Sequence, residues 1–276
     1  MSLAVIAPRS RWSQFVHEMR IGFRRQCNVV FALLFKEFRS KTSDGRLGLL
    51  WVVLEPVTQI VVLGALWYLA GRTEIAGANI GVFLATGVLP YLVVRRSLQD
   101  IPASLGANDA FYNYQQVKPI DAVVARFILD MLLLIVGGFY VFFLLAWFFG
   151  VWIKLDNALP LIGIVLTAMT MSFGFSLLLA TYGYLYDGLL KAVSNVSRPL
   201  LFVSAVFYTP NDLPSEARYV LSWNPIVQIN EYVRFYALGI RLFPEADFWY
   251  VLLWALCALF IGVIGYYANR FRLIEK

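Results

Sequence analysis

One histidine, His17, and two cysteines, Cys27 and Cys257, leave this chain of 276 residues little scope for metal or thiol chemistry. A lone imidazole excludes the common zinc sites, which combine several His and Cys ligands. Two cysteines cannot make a disulfide framework, and one of them falls inside an expected membrane span, so both read as free thiols. His17 reads as an exposed side chain. Charge is scarce as well: 14% of residues are Asp, Glu, Lys or Arg, against about 25% in an ordinary soluble domain. No G-x-x-x-x-G-K-[ST] phosphate loop is present, which excludes that mode of ATP binding. There is no G-x-S-x-G, and His17-Glu18 lacks the second histidine of H-E-x-x-H. Met1 to Arg25 is polar and basic without an apolar run, so no cleavable signal peptide is expected.

What the chain has in abundance is apolar surface. Hydrophobic residues make up 60% of it and the mean hydropathy is +0.70, the composition of an integral membrane protein with room for about six crossings. The net charge of +6 sits beside the apolar runs, where the positive-inside rule accounts for it; no basic-aromatic motif points to nucleic acid, and none is expected as a partner.

The organising stretch is Arg39 to Ala70. A basic group (Arg39, Lys41, Arg46) and a turn at Asp44-Gly45 precede residues 47–70, long enough as a helix to span about 36 Å against roughly 30 Å of hydrocarbon. Only Glu55 interrupts this run, followed directly by Pro56. A carboxylate at that depth costs roughly 2.5–3.5 kcal/mol on insertion scales, so it is expected to face protein or water.

The remainder follows in order. Residues 1–27 form a polar cytosolic lead, and 28–41 an amphipathic helix too short to cross, lying in the cytoplasmic interface. Residues 42–276 form the transmembrane domain. Its spans fall at about 47–70, 80–104, 122–149, 158–186, 190–210 and 248–268. The second contains Gly87 and Pro90 and ends beyond Arg95 and Arg96; neighbouring helices must cover its backbone. Arg126 and Asp130 on the third share a helical face and can pair. Ala168, Ser172, Ser176 and Ala180 form a small-residue stripe on the fourth, a packing face. Region 212–246, broken by Pro214, Pro225 and Pro244, suits short re-entrant or interfacial helices. With this layout 18 of the 23 Lys and Arg lie on the cytosolic side, which places both termini inside. The fold class is therefore an all-α integral membrane protein of six transmembrane helices, with an N-terminal interface helix and re-entrant helices before the last span. At this level an intramembrane enzyme that uses only carboxylates, or a secondary transporter coupled through Glu55, stays open beside a transport subunit.

Four blocks sharpen the reading: KEFRSKTSDGRLGLLWVVLEP, GVFLATGVLPYLVV, FYNYQQVKPIDAVVAR and YVLSWNPIVQINEYVR. In series, across about residues 28–270, they resemble the membrane subunit of capsular-polysaccharide ABC exporters, the KpsM type within the ABC-2 permeases. The resemblance implies a multi-pass protein of the inner membrane of a Gram-negative bacterium. It implies that a second copy of the chain and two copies of an ATP-binding subunit move a lipid-linked polysaccharide, with a periplasmic co-polymerase or adaptor and an outer-membrane exporter beyond. It also implies that this chain binds no cofactor of its own, ATP and Mg being held by the partner ATPase, and that it is not an enzyme. O-antigen and teichoic-acid permeases share the architecture with another cargo, and an intramembrane acyl- or glycosyl-transfer enzyme is the alternative from a different class.

Residue by residue, the resemblance implies a coupling helix at about 105–121, centred on Asp109, Phe111, Tyr112, Tyr114, Lys118 and Asp121. Aromatic anchors flanked by charge suit such an interface, and an ordinary membrane-anchoring loop is the simpler alternative. Arg39, Lys41 and Arg46 would meet the phosphate of a lipid linker at the cytosolic entrance, or serve only as positive-inside anchors. The first and fifth spans would line the conduit. Trp51, Glu55 and Gln59 share one helical face, and Phe202, Ser204, Phe207, Tyr208 and Thr209 form the opposing wall; as belt or core residues the aromatics need no such role. Region 212–246 would close the exit.

Overall fold

The structure, a computed structural model, describes residues 11–43, 47–114, 116–150, 157–186 and 188–275, the side chains of 11–16, 43, 47–53, 198 and 275 excepted. The described chain is helical apart from one small hairpin. Its elements are α1 (Arg11–Ser43), α2 (Leu47–Leu69), the hairpin β1 (Glu74–Ile75) and β2 (Ala78–Asn79), α3 (Ile80–Leu98), α4 (Ser104–Ala107), α5 (Pro119–Phe149), α6 (Ala158–Leu185), α7 (Leu189–Val203), α8 (Ser215–Ser222), α9 (Pro225–Leu238), α10 (Phe248–Asn269) and α11 (Arg272–Glu275). Single 3-10 turns lie at Asp109–Phe111 and Pro210–Asp212.

By length and composition, four helices among the described residues can cross a membrane: Ile80–Leu98, Pro119–Phe149, Ala158–Leu185 and Phe248–Asn269. The part of α2 searched with them, Leu54–Leu69, is apolar but shorter. The helix starts are set by local chemistry. Asn79, Asn224 and Asp247 accept bonds from the amides of Gly81, Ile226 and Trp249 at the heads of α3, α9 and α10, satisfying donors that no helical carbonyl reaches. Gly150 and Gly239, at φ 63° and 71°, close α5 and α9 in the left-handed region, where glycine alone carries no Cβ penalty.

The helix with the plainest sequence signal is not the centre. That place belongs to α3, buried from Val82 through Val88 and again at Pro90, Tyr91, Leu92, Val94, Arg96 and Ser97. It packs against α2, α5, α6, α7 and α9. Its breakers Gly87 and Pro90 survive because protein covers them on every side. The other tight junction joins α6 and α10, where the backbones touch: a Cβ on Gly174 would lie 2.3 Å from the Ala258 carbonyl carbon. The stripe Ala168, Ser172, Ser176, Ala180 is buried and in part meets α3, with the Ser176 hydroxyl donating to the Ser97 carbonyl at 3.2 Å.

Four expected boundaries differ. Helix α1 begins at Arg11 and not at residue 28, so most of the supposed lead is helical; apart from Gly22, residues 11–27 contain no helix breaker. Helix α3 stops at Leu98 and not at 104, since Pro102 cannot continue it. The single coupling helix expected at 105–121 is instead α4, a 3-10 turn and the first turn of α5. The helix expected as the fifth span, α7, ends at Val203 and not at 210, because Ala205 turns left-handed at φ 53° and an arginine side chain takes the following carbonyls. The remaining region, 212–246, contains two short helices, α8 and α9.

Candidate functional site

Three polar assemblies stand out among the apolar helices. The first fastens α1 to α5 and to the segment before α5. Glu37, 2% exposed, receives Arg126 Nη1 at 2.6 Å and Asn108 Nδ2 at 3.0 Å. Asp130, wholly buried, takes Arg126 Nε at 3.2 Å and also Lys41 Nζ. Asn108 accepts from Lys36 Nζ at 2.8 Å and donates a second bond to the Ser104 carbonyl, so both arms of its amide are used. Burial pushes the Glu37 carboxyl up, but the bonds from Asn108 and Arg126 and the nearby positive charges outweigh it and hold it below its ordinary value. The pairing of Arg126 with Asp130 follows the spacing expected of it.

The second assembly answers the question posed by Glu55. Its carboxylate lies between two guanidiniums of α3, Arg95 Nη1 at 2.9 Å and Arg96 Nη2 at 2.8 Å. The sequence placed Glu55 against protein or water and left its partners unnamed; two adjacent arginines at the end of an apolar run were the available signal.

The third assembly was missed altogether. Arg234 of α9 is fully buried and donates to Glu231 at 2.8 Å, to the Val206 carbonyl at 2.9 Å and to the Tyr208 carbonyl at 3.1 Å. Its guanidinium stacks over the Phe83 ring, 3.8 Å from the centroid, and fits only because position 87 is glycine: a Cβ there would lie 2.7 Å from Arg234 Nη2. The legible sign was a pair of opposite charges three residues apart inside the apolar PIVQINEYVRFYAL.

The expected coupling residues divide into a presented set and a supporting set. Phe111, 36% exposed, and Tyr114, 64% exposed, face outward, with Lys36 over the Phe111 ring at 5.3 Å; Lys118 is exposed beside them. Asp109 accepts from the Tyr184 hydroxyl. Tyr112 instead points inward and donates to the Leu105 carbonyl at 3.0 Å; burial, with Tyr184 and Asp109 nearby, pushes its phenol up. Asp121 is buried, accepts from the Lys118 amide at 2.9 Å and from Gln26, and so caps α5. Neither of these two offers a surface to a partner.

The expected conduit wall is not continuous. Phe202 is exposed, whereas Ser204, Phe207 and Thr209 are buried, and the Tyr208 hydroxyl donates to the Phe202 carbonyl at 3.2 Å. Ser204 donates to the Leu200 carbonyl and Thr209 to Glu231. Gln59 is half-buried, and the Trp51 side chain lies outside the described residues. Of the entrance cations, Arg39 is exposed, Lys41 is engaged by Asp130, and Arg46 lies outside the described residues. Among the described residues no group of His, Cys, Asp and Glu is arranged to hold a metal.

Long apolar helices around a buried polar centre, with charge gathered at helix ends, define a multi-pass membrane protein. The particular family follows from comparison: the chain belongs to the ABC-2 type transporter family, which it matches over residues 28–238. That family comprises transport subunits and not enzymes. The chain is similar to the polysialic acid transport protein KpsM of Escherichia coli, 29% identical over 90% of this chain and 95% of that protein. It is similar as well to the capsule polysaccharide export inner-membrane protein CtrC of Neisseria meningitidis serogroup A, at 24% over 86% and 89%. With the capsule polysaccharide export inner-membrane protein BexB of Haemophilus influenzae it shares 21% over 87% and 90%.

Proposed function

We propose that this chain is the permease half of an ATP-driven exporter of lipid-linked capsular polysaccharide in the inner membrane of a Gram-negative bacterium. It works as a homodimer with two separate ATPase subunits that hold ATP and Mg, and it passes cargo to periplasmic and outer-membrane partners. Six spans with both termini cytosolic accommodate this, α2 and the α7 region joining the four long helices.

The observation that carries the reading is the segment between α3 and α5. It presents Phe111, Tyr114 and Lys118 while Lys36, Asn108 and Glu37 clamp its base to α1. A rigid, aromatic, partly charged projection at the basic end suits docking to a soluble motor that the chain, lacking a phosphate loop, must borrow. The exposed face of α7 mixes Lys191 and Asn195 with Val196 and Phe202, a composition that fits a water-lined path better than lipid. The second copy would cover this face and the exposed Val61, Val62 and Leu66 of α2.

Co-purification tests the motor contact. Phe111→Ala combined with Lys118→Glu is expected to abolish recovery of the ATPase subunit while the permease stays in the membrane; full recovery removes the assignment. Glu55→Leu is expected to stop surface display of polysaccharide without loss of the protein.

A further inference from the structure

At the end of the molecule away from the α1 clamp, a cleft of about 520 Å³ opens between the 3-10 turn Pro210–Asp212, the start of α8, the loop after α9 and the tip of the hairpin. Small-molecule sites fall between about 300 and 1,000 Å³. Its walls are tied together. Asn211 Nδ2 donates to the Arg241 carbonyl at 2.8 Å, and Thr209 in the floor donates to the buried Glu231. Ala76, which lines the cleft, holds a left-handed φ of 52° because it and Gly77 form the two-residue turn of the hairpin.

Charge in the cleft is unevenly used. Arg218 Nε lies 2.9 and 2.8 Å from the two Glu245 oxygens, which fixes its plane and cancels its charge. Arg241 and Asp212, both exposed, form no ion pair among the described residues. The cleft therefore offers one positioned guanidinium, one uncommitted cation and one uncommitted carboxylate.

We propose that this cleft binds an acidic saccharide unit, with Arg241 beside the fixed Arg218 taking the sugar carboxylate and Asp212 accepting from ring hydroxyls. The proposal rests on the polysaccharide-export reading and adds to it the class of sugar and a holding point outside the membrane. A guanidinium matches a carboxylate with two parallel bonds, and an ionised Asp can only accept, as a hydroxyl-rich ligand requires. A neutral sugar leaves Arg241 unanswered. In the topology of that reading, with both termini cytosolic, a unit held here has already passed the membrane-embedded helices.

The test uses the full chain in lipid nanodiscs, titrated calorimetrically with a glucuronic acid tetramer and with maltotetraose. The acidic tetramer is expected to bind at least tenfold more tightly than the neutral one. Arg241→Ala should weaken it at least tenfold, and Asp212→Asn severalfold. Both positions are exposed, so unchanged thermal unfolding is expected to accompany the loss. Arg270→Ala, at the opposite end, should leave binding as it was. No binding of the acidic tetramer, equal binding of the two, or wild-type binding by Arg241→Ala each overturns the proposal. Surface polysaccharide in cells carrying the wild-type chain separates the levels: export alongside Arg241-independent binding sinks the cleft alone, whereas absence of export sinks the transport reading.

Discussion

Around α1, Glu37 and Asp130 are held by Arg126, Lys36, Lys41 and Asn108, so each carboxylate has more than one side-chain partner. Around α9, Glu231 relies on Arg234, with one weaker bond from Thr209, while Arg234 also donates through Nη2 to the Val206 carbonyl and through Nη1 to the Tyr208 carbonyl. The first arrangement is redundant, partly reached by water and built between side chains. The second is sealed, has almost no spare partner and is built half from backbone. Losing one member of a sealed pair strands a charge where neither water nor another side chain can answer it. Losing one member of the redundant cluster leaves its partners others to bond. Five charged side chains share the load in the first region and two carry it in the second, which gives the regions different fragility. It also separates their tasks: one cluster docks a helix onto the bundle, the other fixes the path of the chain after α7.

The sharpest way to break this contrast is Arg234→Ala. It leaves Glu231 buried with no counter-charge and only the Thr209 hydroxyl, and a loss of about 3–5 kcal/mol is expected, read as a large drop in thermal unfolding temperature in detergent. A value near that of a surface variant would show that the pair is wetter than its geometry implies. Gly87→Ala tests the same site from the facing helix and should act in the same direction, because the Cβ would meet Arg234 Nη2 at 2.7 Å.

Next in size is Glu37→Ala at the redundant end. Bonds to charged groups are each worth about 1.5–3 kcal/mol, and Arg126 keeps Asp130, so a loss near the lower figure is expected. It should appear as faster hydrogen exchange of α1 while α3 stays protected. Equal exposure of both helices would erase the distinction between clamp and core.

A pH titration sharpens the comparison further. The Glu37 carboxyl titrates below its ordinary value of 4.5 in the folded protein. Its contribution is therefore complete above that value and is lost as the pH falls through the lowered folded value. On acidification α1 should loosen before the bundle unfolds; simultaneous loss of both would contradict the sign. Smallest is Arg95→Ala. Arg95 is a third exposed and Arg96 also holds Glu55, so stability should fall by about 0–1 kcal/mol, measured by the same thermal unfolding.

Much of the fold was legible. Runs of apolar residues at 122–149, 158–186 and 248–268 agree within a few residues with α5, α6 and α10, because a bilayer span needs only length and hydrophobicity. The site was legible in part. Glu55 and the pair Arg126–Asp130 stood out as charges in apolar sequence. That Tyr112 and Asp121 turn inward did not, since the same residue types serve an exposed anchor or a buried cap. The amphipathic character of α1 was plain, but its orientation was not: Glu37 and Lys41 face α5 while Phe31 and Phe35 point outward.

By itself the sequence determined where the long apolar helices α5, α6 and α10 run, that charge gathers at the ends of the apolar runs, and that no phosphate loop lies in the chain. Those are properties of neighbouring residues and of the solvent they require. Only the tertiary structure decided that α3, short and broken by glycine and proline, is the buried hub, that α7 stops at Val203, and that Glu55 and Arg234 have the partners they do. Such choices join residues tens of positions apart. They depend on which helices lie side by side, a fact that no local pattern of hydrophobicity contains.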